Sequence, residues 1–124
     1  MSQATIGDQT MQTETASSAA TAEPAPVLYA QDDRGVVTLT LNRGAAFNSL
    51  SEATLEALQA ALNRVATDEA ARVVVIRGEG KAFCAGHDLK EMRAEPSQAY
   101  YERLFSQCGR MMMSIQRLPV PVIA

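Results

Sequence analysis

The fold of this chain is decided by the stretch Gly80-Lys81-Ala82-Phe83-Cys84-Ala85-Gly86-His87-Asp88-Leu89-Lys90-Glu91-Met92. The apolar run before it, residues 73–76, predicts a buried strand covered on both faces. Asp88-x-x-Glu91 is a capping box and predicts the start of a helix. Between them, the small residues Cys84-Ala85-Gly86 let a ligand come close to the backbone. A strand end, a tight loop and a helix N-terminus together direct backbone N–H groups at one point, which suits a developing negative charge.

Strands and helices alternate along the rest of the chain. Residues 27–30 and 36–41 predict two strands, and the glycine-containing loop 31–35 makes them a hairpin. Ser49-x-x-Glu52 predicts a cap for a helix with an apolar stripe of Leu55, Leu58, Leu62 and Val65. The site loop leads into a short helix that ends before Pro96.

A second long helix is predicted after Ser97, which caps it, and it ends at Pro119. Its apolar side consists of Tyr100, Leu104, Cys108, Met111, Ile115 and Leu118. Residues 121–124 predict the start of another buried strand. The order of a strand pair, helix, strand, helix and strand is typical of an α/β fold. Because the chain ends inside a predicted core strand, we expect it to be a fragment, and a complete small α/β domain is the alternative.

Composition excludes several classes of partner. The chain has 124 residues, 47% hydrophobic and 20% charged, which suits one small soluble domain. Residues 1–26 carry three acidic side chains and no Lys or Arg. The 14 acidic residues less these three equal the 11 basic residues, so the rest of the chain is neutral. This balance gives no support for a nucleic-acid partner or a basic membrane-binding face, and no stretch is apolar enough to span a membrane.

Residues 1–26 are predicted to be a disordered tail, and residues 27–124 the folded part. The tail is rich in Ala, Ser, Thr and Gln, and its large apolar side chains are Met1, Ile6 and Met11. Such a segment cannot bury enough surface to offset its ordering entropy. It lacks the basic and apolar regions of a secretory signal and the arginines of a mitochondrial presequence. We therefore expect a cytoplasmic location.

Two motifs resemble those of one protein family. Residues 81–89, Lys-Ala-Phe-Cys-Ala-Gly-His-Asp-Leu, resemble the signature loop of the enoyl-CoA hydratase/isomerase (crotonase) family. Residues 41–50, Leu-Asn-Arg-Gly-Ala-Ala-Phe-Asn-Ser-Leu, resemble its earlier motif, Leu-Asn-Arg-Pro-x-x-x-Asn-Ala-Leu. The motifs come in the family's order, with a helix and a strand between them. The resemblance covers residues 27–124 and implies the first turns of a crotonase-like ββα spiral, less than half of a family domain.

The resemblance also implies a site for an acyl-CoA thioester, with no metal and no cofactor other than the substrate's own coenzyme A. His87 would donate its backbone N–H to the thioester oxygen, as one half of an oxyanion hole. Lys81 and Lys90 would reach the phosphates, and Ala85 the adenine through its backbone. Arg43, Ala45 and Ala46 would border the pantetheine and nucleotide. The full set of implied contacts is Arg43, Ala45, Ala46, Lys81, Ala85, Gly86, His87, Asp88, Leu89 and Lys90.

Two positions depart from the family pattern. Gly44 stands where the family usually has Pro and is expected to loosen the loop, and Ala45 replaces a residue that is basic in many relatives. The activity implied is hydration of a 2-enoyl-CoA, with isomerisation, decarboxylation, thioester hydrolysis, dehalogenation or non-catalytic CoA or partner binding as alternatives. The family's two acid–base glutamates and its second oxyanion donor, a glycine N–H, belong after Ala124. The chain alone is therefore expected to be inactive, and the full-length protein to be a homo-oligomer, a trimer or a dimer of trimers.

Simpler interpretations apply to several of the same residues. Cys84-x-x-His87-Asp88 permits a nucleophile–base pair, but this spacing does not make the side chains face each other. Two cysteines are too few for a disulfide framework or a zinc site, so Cys84 and Cys108 are predicted to be free, partly buried thiols. Asp88 is predicted to cap a helix rather than to act in catalysis. A phosphate-binding loop at Gly78-x-Gly80-Lys81 is excluded, since Ala82 stands where Ser or Thr would hold magnesium.

Overall fold

Four strands form one mixed sheet in the computed structural model, which describes residues 24–124. They are β1 (Val27–Gln31), β2 (Val36–Leu41), β3 (Val73–Gly78) and β4 (Val122–Ile123), adjacent in that order. β1 and β2 are antiparallel, whereas β3 runs parallel to both β2 and β4. The predicted hairpin, the later strands and the α/β class are confirmed.

Three helices connect and cover these strands. They are α1 (Glu52–Ala66), α2 (Leu89–Ala94) and α3 (Gln98–Arg117), and a single 3₁₀ turn spans Gly44–Ala46. The side chains of Asp88 and Ser97 cap α2 and α3, as predicted. The predicted cap of α1 is wrong, because Ser51 and not Ser49 accepts the Thr54 N–H. Ser49 lies in the preceding turn, where its carbonyl oxygen accepts a hydrogen bond from the Arg43 guanidinium.

The core lies between one face of the sheet and the helices α1 and α3. Its buried side chains alternate along β2 and β3 and recur at helical spacing along α1, as the apolar stripe predicts. On α3, Tyr100, Leu104 and Met111 are buried, while Cys108 and Ile115, and Leu118 just after the helix, are partly buried against the core. No helix within residues 24–124 combines the length and the apolar character that a membrane span requires.

The opposite face of β3 is less covered than its apolar run predicts. Val74 and Ile76 are buried, but Val73 and Val75 are only half-buried. Successive side chains of a strand point to opposite faces, so within residues 24–124 the helices cover the face of Val74 and Ile76. The expectation of a strand buried on both faces is therefore wrong for the described part of the chain.

The predicted tail, residues 1–26, falls mostly outside the described residues, which begin at Pro24. Its last two residues are hydrogen-bonded to the loop that follows β2. The Asn42 N–H donates to the Pro26 carbonyl oxygen at 2.8 Å, and the Asn42 Nδ2 donates to the Ala25 carbonyl oxygen at 3.1 Å. The segment attached to the sheet therefore begins before Val27.

Two N-terminal deletions test where the folded part begins. We expect deletion of residues 1–23 to leave the thermal midpoint unchanged, because those residues have little apolar surface to bury. Deletion of residues 1–26 removes two hydrogen bonds to Asn42, worth about 1 kcal/mol each, and should lower the midpoint by several degrees. Thermal unfolding of both variants measures the difference, and equal midpoints would contradict the role given to Ala25 and Pro26.

Candidate functional site

The two sequence motifs meet side by side in a short parallel bridge between Leu50 and His87. The Leu50 N–H donates to the Gly86 carbonyl oxygen at 2.7 Å, and the Asp88 N–H donates to the Leu50 carbonyl oxygen at 3.1 Å. In a parallel bridge of this pattern the central residue directs its own N–H and C=O away from the partner strand. The His87 N–H therefore points away from Leu50, and no hydrogen-bond acceptor for it is found in residues 24–124.

Asn48 fixes the first motif to the second, and sequence analysis assigned it no role. Its side chain is 1% exposed, and every polar atom of the amide is used. Oδ1 accepts the Arg43 N–H at 2.8 Å, while Nδ2 donates to the carbonyl oxygens of Glu79 at 2.8 Å and Ala82 at 2.9 Å. Its backbone has φ of 54°, a left-handed conformation that asparagine tolerates better than most residues.

Two glycines of this junction, Gly86 and Gly44, have little tolerance for a side chain, for different reasons. Gly86 has φ of 91°, which an L side chain rarely adopts, and a Cβ there would face open space. A Cβ on Gly44 would lie 3.1 Å from the Glu79 carbonyl oxygen, so the two loops pack closely at this point. Close packing against the second loop thus limits the size of the side chain at residue 44. The expectation that Gly44 loosens the loop did not take this contact into account.

The predicted site residues Arg43 and Asp88 contact each other. The Arg43 Nη2 lies 3.4 Å from the Asp88 Oδ2, and Nη1 donates to the Ser49 carbonyl oxygen at 2.9 Å. The other carboxylate oxygen of Asp88 accepts the Glu91 N–H at 3.1 Å and so caps α2. Arg43 thereby links the first loop to the helix that follows the second, a role that sequence analysis did not foresee.

The capping box predicted at Asp88 and Glu91 is only half formed. Asp88 accepts the Glu91 N–H as expected, but the Glu91 carboxylate does not return to the Asp88 backbone. Instead, its Oε1 accepts the N–H of Glu52, the first residue of α1, at 2.7 Å. Glu91 therefore caps a neighbouring helix 39 positions earlier in the chain.

The implied coenzyme A contacts fall into two groups. Arg43, Ala45 and Ala46 line a cleft of about 570 Å³ that Pro24, Pro26, Asn42, Ser51, Ala53 and Glu91 also line. Lys81, Ala85, Leu89 and Lys90 are exposed on the second loop and on α2. The Ala85 N–H is already used, since it donates to the Phe47 carbonyl oxygen at 3.0 Å. An adenine contact through the Ala85 backbone would therefore use its carbonyl oxygen.

The side chains of His87 and Cys84 do not form a nucleophile–base pair. The imidazole of His87 packs edge-on against the Phe105 ring of α3, with ring centroids 5.2 Å apart. Cys84 Sγ accepts the Gly86 N–H at 3.5 Å, and in residues 24–124 no hydrogen bond joins it to His87. Both cysteines are free and half-buried, as predicted, and burial raises the pKa of the Cys108 thiol, with nearby Cys84 adding to the effect. This arrangement favours the backbone N–H of His87, rather than its imidazole, as the candidate functional group.

An apolar cavity of about 320 Å³ lies beside the second loop. Its lining is almost entirely apolar and comes from the four elements β2, β3, β4 and α3, from α1 and from both loops: Leu41, Leu50, Leu58, Ile76, Phe83, Cys84, Met111, Met112, Ile115, Val122 and Ala124. Leu50 lines it and also forms the bridge to His87. The junction of the two motifs therefore has a cleft of mixed polar and apolar lining and an apolar cavity in its neighbourhood.

Residues 31–124 match the profile of the enoyl-CoA hydratase/isomerase family. The chain belongs to this family. It is 37% identical over 99 residues to the mitochondrial enoyl-CoA hydratase domain-containing protein 3 of Xenopus laevis, covering 80% of this chain and 34% of that protein. It is 38% identical over 95 residues to human mitochondrial methylglutaconyl-CoA hydratase, covering 76% and 28%. The chain thus spans about a third of the length of the curated relatives it matches.

Solved structures of the same family have the same fold. An enoyl-CoA hydratase of Mycobacterium smegmatis aligns with a TM-score of 0.78 and 63% identity, over 81% of this chain and 38% of that one. The human enoyl-CoA hydratase domain-containing protein 3 aligns with a TM-score of 0.73 and 36% identity, over 78% and 38%. The crotonase-like fold implied by the two motifs is confirmed.

Replacing Asn48 tests whether its amide holds the junction together. Asn48→Ala leaves two carbonyl oxygens and one N–H without their partner, so we expect the free energy of unfolding to fall by roughly 3 kcal/mol. Urea unfolding measures this loss. Asn63→Ala is the matched control, since Asn63 is exposed and accepts one hydrogen bond from Gln59, and it should change stability little. Similar losses in both variants would contradict the role of Asn48.

Proposed function

We propose that residues 27–124 form the thioester-binding part of an enoyl-CoA hydratase site, with the backbone N–H of His87 as one oxyanion donor. The observation that carries this proposal is the Leu50–His87 bridge, which turns the His87 N–H away from its neighbouring strand. A donor fixed in position before the reaction stabilises negative charge without reorganisation. Removing one such donor typically costs about 3–4 kcal/mol of transition-state stabilisation.

The coenzyme A would lie across both motifs. The cleft at Arg43, Ala45 and Ala46 would border the pantetheine and nucleotide, and the exposed Lys81 and Lys90 would reach the phosphates. The Ala85 carbonyl oxygen is an acceptor suited to the exocyclic amino group of adenine. The guanidinium of Arg43 would mainly hold the two loops together rather than bind the ligand, since it contacts Asp88 and Ser49.

Hydration is the proposed reaction, with His87 holding the enolate oxygen while two glutamates add water across the 2,3-double bond. In the family pattern those glutamates and the second donor follow residue 124, so Glu79, Glu91 and Glu95 have no part in proton transfer. The two named curated relatives are mitochondrial proteins. The cytoplasmic location expected from the N-terminal sequence and the trimeric assembly of the full-length protein stay predictions.

Spectroscopy of a bound thioester tests the proposed donor directly. We expect the 124-residue chain to bind crotonyl-CoA labelled with ¹³C at the carbonyl carbon, and to shift that carbon's NMR signal downfield through hydrogen bonding. Coenzyme A without the acyl group controls for binding through the nucleotide alone. Binding without any shift of the carbonyl signal would contradict the oxyanion role, and absence of binding would contradict the proposed function itself.

Two substitutions at His87 separate its backbone from its side chain. His87→Ala keeps the N–H and loses only the contact with Phe105, so the carbonyl shift should persist. His87→Pro removes the N–H and distorts the loop, and the shift should disappear. Circular dichroism checks that both variants fold. Loss of the shift in a folded His87→Ala variant would make the imidazole the active group.

Turnover is predicted to be absent from the 124-residue chain. Losing a general acid or base typically lowers a rate by about 10²–10⁴-fold, and here the second oxyanion donor is missing as well. A spectrophotometric assay of crotonyl-CoA hydration measures this, with a full-length family member as the positive control. Hydration at a rate near that of the control would contradict the assignment of catalytic groups to a later part of the domain.

A further inference from the structure

The short helix α2 begins two residues after the proposed oxyanion donor and depends on other elements for its position. It has six residues, Leu89–Ala94, and none of them is buried. An isolated helix needs about 12–15 residues to be even marginally stable in water. Met92 is half-buried and packs against the core cluster. Contacts with neighbouring elements, rather than its own stability, therefore fix α2.

Polar contacts tie α2 and its cap to those neighbours, and one of them is shorter than the others. The Arg43–Asp88 ion pair has a separation of 3.4 Å, and the Tyr101 hydroxyl donates to the Met92 carbonyl oxygen at 3.3 Å. The Glu91 carboxylate accepts the Glu52 N–H at 2.7 Å. Hydrogen bonds to an ionised acceptor are about twice as strong as neutral ones, and a carboxylate at a helix N-terminus also interacts favourably with the helix dipole.

From these contacts we infer that Glu91 is a positioning residue, which fixes the His87 N–H by attaching α2 to the N-terminus of α1. The inference rests on the proposed function of His87. One oxygen of the Glu91 carboxylate accepts a backbone N–H of α1, so the role inferred at His87 acts through α2, while Glu91 also lines the cleft beside Arg43.

The geometry explains how a contact at Glu91 reaches His87. The Leu50–His87 bridge, the Ala85–Phe47 hydrogen bond and the Arg43–Asp88 pair join the two segments up to Asp88, and none of them holds a residue of α2 itself. The Glu91–Glu52 hydrogen bond joins the same two segments of the polypeptide again. It lies two residues after Leu50 in the first segment and four residues after His87 in the second. The Gly86–His87 peptide carries the His87 N–H and is held through the Gly86 carbonyl oxygen by Leu50, and the Glu91–Glu52 hydrogen bond fixes the segment that follows it.

Amide hydrogen exchange of the 124-residue chain tests the positioning role without any ligand. In Glu91→Ala we expect the amides of Asp88 and Met92 to exchange roughly tenfold faster or more, because α2 loses its attachment to α1. The amide of Val74, inside the sheet, should keep its rate. In Glu91→Gln the side-chain oxygen still accepts the Glu52 N–H, so the rates should stay within about fivefold of wild type.

Glu95→Ala is the matched control. Glu95 stands at the other end of α2, is exposed, and its carboxylate has no hydrogen bond within residues 24–124. Unchanged exchange at Asp88 and Met92 in Glu91→Ala would overturn the inference. Equal acceleration at Val74 would also overturn it, because Glu91 would then support the whole fold. So would equal acceleration in Glu95→Ala, since removal of any acidic charge from α2 would then suffice.

The labelled thioester extends the test to the donor itself. We expect Glu91→Ala to reduce the carbonyl shift of bound crotonyl-CoA and Glu91→Gln to restore most of it. Local exchange that accelerates without any change in the carbonyl shift would overturn the link from Glu91 to His87. If the wild-type chain binds no thioester, the proposed function fails, and the exchange rates and the amide chemical shift of His87 still decide whether Glu91 positions the loop.

Discussion

The side-chain amide of Asn48 is the constraint on which the site depends. Two loops that are distant in sequence converge on it, and the amide supplies one acceptor and two donors to their backbones. Because the group is 1% exposed, no solvent replaces a lost partner, and an unpaired buried polar group costs more than a formed bond contributes. The same amide therefore selects one arrangement of the loops and penalises others, which a hydrophobic contact in this place would not do.

The site is held mainly by polar contacts because its elements bury little apolar surface. In α2 no residue is buried, and the 3₁₀ turn Gly44–Ala46 has none either. The buried apolar core extends to Leu50 and Ile76, which stand close in sequence to the two loops. Beyond that boundary, order comes from the Leu50–His87 bridge, the Arg43–Asp88 pair and the Glu91–Glu52 hydrogen bond. Such contacts keep backbone groups in place while leaving the surface near them open to a ligand.

Local sequence patterns predicted the order and type of the strands and helices, although the cap of α1 and the burial of β3 were predicted wrongly. The apolar stripe of α1, the caps of α2 and α3 and the hairpin depend on neighbours within a few residues, so local sequence defines them. Long-range partners escaped prediction. Glu91 satisfies the local capping-box pattern, yet its carboxylate bonds to Glu52 because α1 lies nearby in the fold. The hydrogen bonds of Asn48 and the Arg43–Asp88 pair likewise join loops that are distant in sequence and become neighbours only in the folded chain.

The backbone donor proposed at His87 would place unusual demands on the residues around it. Any amino acid except proline supplies the N–H, so chemistry does not select the side chain at His87, and the imidazole is available for packing on Phe105. The protein must instead fix the direction in which the His87 N–H points. That direction comes from the bridge to Leu50, from the positive φ of Gly86, and from the attachment of α2 on the far side. In the proposed site, the residues that control the donor would therefore be those that hold the peptide plane, and they need not touch the substrate.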